Sequence, residues 1–75
     1  MTNKLITAKE IAEKYEVSYQ TINRYSDAGL LNVVFKKGNV RYYDRQQVRK
    51  RLDMIFRLTR EGYSLMLIRK KLLGV

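Results

Sequence analysis

Apolar residues early in the chain recur three and four positions apart, at Ala8, Ile11, Ala12 and Tyr15. That is the period of an amphipathic helix, and it predicts a first helix over 8–15 with one buried face. Thr7 and Glu10 frame its start as a capping box, in which hydroxyl and carboxylate each satisfy an otherwise orphaned amide. Only Glu16-Val17 separates this segment from Ser18, a second N-cap candidate. Behind Ser18, Ile22 and Tyr25 stand three apart and face inward from a second helix, which Ala28-Gly29 closes.

The pattern then changes period. Val33-Val34-Phe35 and Val40-Arg41-Tyr42-Tyr43 are β-prone runs on either side of Lys36-Lys37-Gly38-Asn39. Gly and Asn both tolerate positive φ, so the stretch predicts a β-hairpin with Lys36 and Lys37 at a basic tip. Tyr42 and Tyr43 must face opposite ways, one toward the core. Asp44-Arg45-Gln46-Gln47 reads as another capping box, opening a third helix whose stripe is Val48, Leu52, Ile55, Phe56 and Leu58. Gly62 stops it, and Ser64 caps a fourth helix carrying Leu65, Ile68 and Leu72 on one side, ended by Gly74. Met54, Phe56 and Met66 sit at helical spacing and are expected inside the core. The order is helix, helix, hairpin, helix, helix, in one domain over residues 1–75.

Two short helices joined by so few residues make a helix-turn-helix. The second helix buries Ile22 and Tyr25, which leaves Tyr19, Gln20, Asn23 and Arg24 largely on the outer arc. Asn and Gln side chains match the edge of adenine, and Arg matches guanine or a phosphate. Taken alone, the same arc is an ordinary polar helix face, and the hairpin lysines an ordinary solvated turn.

Charge tips the balance between those readings. Sixteen Lys and Arg against seven Asp and Glu give a net charge of +9, a field that attracts polyanions. The chain has no cysteine and no histidine, which removes disulfides, thiolate metal sites and the commonest general base together. The carboxylates are scattered, and nothing sets a nucleophile beside a base, so neither an enzyme nor a cofactor is expected. No apolar run approaches the roughly 18 residues of a membrane span. Met1–Ile6 lacks a signal-peptide core, so a cytoplasmic location is expected.

The chain resembles the DNA-binding domain of the MerR family along nearly its whole length. The resemblance is carried by Leu5-Ile6-Thr7-Ala8-Lys9-Glu10-Ile11-Ala12, by Val17 through Tyr25, by Gly29-Leu30-Leu31, by Asn39-Val40-Arg41-Tyr42-Tyr43, and by Leu58 through Leu65 with Ile68. It implies a mainly α fold with a small hairpin wing: a winged helix-turn-helix followed by a second helix pair. It also implies double-stranded DNA as partner, bound by a regulator of bacterial or phage type, with helix two in the major groove and the wing on the backbone. By position, the implied readers are Ser18, Tyr19, Gln20, Thr21, Asn23, Arg24 and Tyr25, with Arg41 in the wing. Lys36 and Lys37 join them by charge and position, and Ser64 offers either a phosphate-binding helix start or a simple cap. Where the family reads Leu-Arg-Tyr-Tyr-Glu, this chain reads Ile22-Asn23-Arg24-Tyr25-Ser26, so its preferred DNA sequence should differ. The wing has Asn39 where the family has Gly, which costs little if Asn39 takes left-handed angles.

The sequence ends at Val75, ahead of the family's long dimerisation helix and effector domain, and no small-molecule effector is implied. Two other readings stay open at this level. An excisionase-like architectural protein, a recombination directionality factor, would use a similar winged fold to bend DNA through copies associating side by side. A protein-interaction adaptor would instead use exposed Met54, Phe56 and Met66 to dock on a partner.

Overall fold

The computed structural model describes residues 4–74, so part of the N-terminal stretch Met1–Ile6 lies outside it. A short strand, β1 (Leu5–Thr7), leads into α1 (Ala8–Tyr15) and α2 (Tyr19–Asp27); the hairpin β2 (Val33–Lys37) and β3 (Val40–Asp44) follows, then α3 (Arg45–Arg60) and α4 (Leu65–Leu73). The strands form one antiparallel sheet in the order β1-β3-β2. This is a winged helix-turn-helix with a second helix pair.

The helix starts follow the capping chemistry. The Glu10 amide donates to Thr7 Oγ1 (3.1 Å), and the Thr7 amide donates back to Glu10 Oε1 (2.9 Å). That backbone hydrogen bond holds the Glu10 carboxyl below its usual range, against a smaller opposing effect of burial. A depressed carboxyl stabilises the fold above its unfolded pKa, and the contribution is lost as pH falls through the folded value. Asp44 caps α3 by accepting from the Gln47 amide (2.9 Å), but the box expected there is only half made. The Gln47 side chain accepts from the Asn32 amide instead (3.1 Å), tying α3 to the entrance of the hairpin.

One residue between α1 and α2 is strained. Glu16 has φ 55°, the one positive-φ non-glycine among the described residues, because the chain must reverse in a connection of three residues. The left-handed region costs an L-residue about 1 kcal/mol. Glu16→Gly is therefore expected to raise unfolding free energy by up to about 1 kcal/mol, part of the gain being offset by glycine's entropy in the unfolded chain. Urea denaturation checks it, and a loss of stability would show that the Glu16 side chain does more than tolerate the turn.

The core gathers Ile6 from β1, Ile11 from α1, Ile22 from α2, Tyr43 from β3, the α3 stripe Val48, Leu52, Ile55 and Leu58, and Ile68 from α4. The tyrosine pair divides as alternation demands: Tyr43 is fully buried, its hydroxyl hydrogen-bonded to Ser26 of α2, while Tyr42 stacks on Phe35 at 4.5 Å on the outer sheet face. α4 is fastened to the helix-turn-helix by Arg69, whose Nε donates to the Ala28 carbonyl (2.8 Å) at the end of α2. Among the described residues, Arg51 Nη1 is buried with no hydrogen-bond partner.

Three expectations need correction. β1 was not foreseen. Lys36 and Lys37 lie within β2, and the turn is Gly38-Asn39 alone. Gly38 takes φ +61° while Asn39 does not have a positive φ, so the glycine alone meets the turn's left-handed requirement. Finally, Met54 is 37% and Met66 80% exposed, and only Phe56 packs against the core. Met66 falls on the side of α4 away from Ile68, and Met54 at the edge of the α3 stripe, one turn before Leu58.

Candidate nucleic-acid interface

α2 presents a polar arc because its single fully buried residue, Ile22, fixes its rotation. Tyr19, Gln20 and Arg24 are exposed, and Thr21 and Asn23 are half-buried. Ser18 accepts from the Thr21 amide (3.0 Å), and the two hydroxyls share a further hydrogen bond at 2.7 Å. Both are therefore engaged in the cap as well as lying at the helix start. Tyr25 packs against the core, and burial pushes its phenol pKa up in spite of neighbouring Arg24.

The wing meets this helix through one side chain. Arg41 Nη1 donates to Asn23 Oδ1 (3.5 Å) and lies 3.7 Å from Asp27 Oδ1. Asn23 and Asp27 are four residues apart on α2, so they stand on one face, one turn from each other. Cross-strand pairing sets Lys36 opposite Arg41 and Lys37 opposite Val40. Paired residues share a sheet face and successive residues alternate. Lys36 therefore lies on the side that faces α2, and Lys37 on the other side with Val40 and the Phe35–Tyr42 stack.

Beside this contact, Thr7, Ala8, Lys9, Tyr19, Asn39, Val40 and Arg41 line a shallow crevice of about 430 Å³ where both helix starts meet the wing turn. Lys9 and Asp27 were not among the sequence candidates. In sequence each is one more charged residue on a helix, and only the tertiary arrangement distinguishes them. On the opposite flank, Thr21, Arg24 and Tyr25 share a cleft with Thr59, Tyr63 and Leu65. That brings the start of α4 beside α2. Ser64 there accepts from the Leu67 amide (3.3 Å), which is its capping role.

A basic chain with a capped two-helix unit, a polar second helix and a cationic wing pinned to it has the architecture of a winged helix-turn-helix DNA-binding domain. The family model described as MerR HTH family regulatory protein matches residues 6–74. The chain belongs to that family, one of DNA-binding regulators. Comparison with curated proteins and with solved structures gave no match. Among the described residues, no helix is long and apolar enough to cross a membrane, and no group of three potential metal ligands occurs.

Proposed function

We propose that this domain binds double-stranded DNA sequence-specifically as a MerR-like transcriptional regulator, with α2 in the major groove and the wing on the adjacent backbone or minor groove. The observation that carries the reading is Arg41 seated on α2 beside Asn23, which joins the wing's cation and the helix's reading face in one surface. In this arrangement Tyr19, Gln20, Asn23 and Arg24 meet base edges, while Lys36, Arg41 and the start of α4 at Ser64 meet phosphates. The excess of cations supplies the sequence-independent part of the affinity.

Selection of bound sequences from a random duplex pool tests this directly, since half-site number and orientation emerge with the sequence. Arg24→Ala is expected to cost about 1–3 kcal/mol of discrimination at one base pair, with little change in stability because the side chain is exposed. Failure to bind any duplex at low ionic strength would end the proposal.

A second reading, the protein-interaction adaptor, draws on the exposure of Met54, Met66 and Leu67. It predicts DNA affinity indifferent to changes at Asn23 or Arg24, so the same variants separate the two.

A further inference from the structure

Asn23 is half-buried, and one end of its amide meets the wing. Its Oδ1 accepts from the Arg41 guanidinium, and the same nitrogen of Arg41 is paired with Asp27 one turn along. The orientation of the amide follows from chemistry: the opposite flip would set its NH2 donors against a guanidinium that has only donors of its own. Tight recognition of adenine by Asn needs both ends at once, Oδ1 accepting from N6 and Nδ2 donating to N7. In this protein the Arg41 guanidinium already takes one of the two lone pairs of Oδ1, so a base amino group has to share that oxygen with the wing's cation.

Resting on the DNA-binding reading above, we propose that Asn23 reads its base pair chiefly through its Nδ2 donor, and that Arg41 sets this specificity from the wing by competing for Oδ1. Nδ2 then favours a base edge that offers acceptors and no donor. Guanine presents O6 and N7 in the major groove, whereas adenine places its N6 amino group beside N7. Arg41 is thus a positioning residue for base recognition in addition to any phosphate contact. Both contacts use Nη1, so Nη2 and Nε carry donors that neither contact engages. Asp27 completes the device by holding the guanidinium where it meets Asn23.

The test is pool selection with the full chain at low salt, using the wild type, Asn23→Ala, Arg41→Ala and Asp27→Ala. The position read by Asn23 is the one whose preference disappears in Asn23→Ala. There the wild type is expected to select guanine over adenine by about 5- to 100-fold. Arg41→Ala frees Oδ1 and should move the preference at that single position toward adenine, leaving the positions read by Arg24 unchanged. Asp27→Ala, which keeps the wing's charge, should shift it in the same direction by less. Wild-type selection of adenine at that position overturns the proposal, even if Arg41→Ala binds too weakly to be scored. So does an Arg41→Ala profile identical to wild type. Absence of duplex binding by the wild type is a different result, because it rejects DNA binding itself.

Discussion

Ile22→Asp is expected to leave the domain unfolded at neutral pH. Ile22 has no exposed surface and is the one fully buried residue of α2, so an aspartate there has no route to water without displacing the helix. An ionised carboxylate in that place is set among apolar side chains, since every fully buried residue of the described core is hydrophobic. Protonating it still forfeits the roughly 2–3 kcal/mol of a buried isoleucine and leaves an unpaired hydroxyl. A chain of 75 residues commands about 4–11 kcal/mol of total stability, and the combined penalty is of that size. Far-ultraviolet circular dichroism and urea titration decide it. Ile22→Val, which removes one methyl, serves as control and should cost about 0.5–1.5 kcal/mol with a cooperative transition intact. An Ile22→Asp protein as stable as wild type would mean that α2 is rotated from the orientation described, and the whole reading face with it.

Why α2 and the hairpin could be placed from sequence while β1 and the seat of the wing's lysines could not is a matter of range. Helix limits are local chemistry: Thr7 with Glu10, Ser18 with Thr21 and Ser64 with Leu67 all close within four residues. The core positions followed from the same short period, and Ile11, Ile22, Val48, Leu52, Ile55 and Ile68 are all buried. β1 is a different case, since its three residues form a strand only because β3 offers them an edge, Ile6 pairing with Tyr43 thirty-seven residues later. The lysines of the wing were misplaced for a related reason. Gly38 and Asn39 are both turn formers, and which strand length accompanies them depends on register, here altered by an irregularity between Val33 and Phe35. Met54 and Met66 were assigned to the core by type and spacing, yet α3 and α4 each have only one face covered. No local pattern announces the Arg41–Asn23–Asp27 contact. It joins residues from the helix and the wing that are brought together by the fold, and it is the part of the candidate site that sequence alone could least supply.

Removing the cations on the inner face of the wing is expected to cost far more DNA affinity than removing the one on the outer face. From sequence, Lys36 and Lys37 are equivalent members of a basic tip. In the sheet they oppose Arg41 and Val40 respectively, so only Lys36 shares the side on which Arg41 approaches α2. In the proposed DNA-binding arrangement, a duplex seated against α2 meets that side. Lys36→Ala combined with Arg41→Ala should therefore lower the slope of log affinity against log salt by about two units, one for each phosphate released. With each charge-assisted contact contributing about 1.4 kcal/mol or more, affinity at fixed moderate salt should fall roughly a hundredfold. Lys37→Ala should change the slope by well under one unit, because its charge contributes only at a distance and is screened as salt rises. Fluorescence anisotropy with one selected duplex across a salt series measures all three. Equal slopes for the two single lysine variants would show that the hairpin enters edge-on and presents both faces to the backbone. A double variant with an unaltered slope would remove the wing from the interface and leave α2 to bind alone, which a helix of nine residues with Arg24 as its only cation is poorly equipped to do.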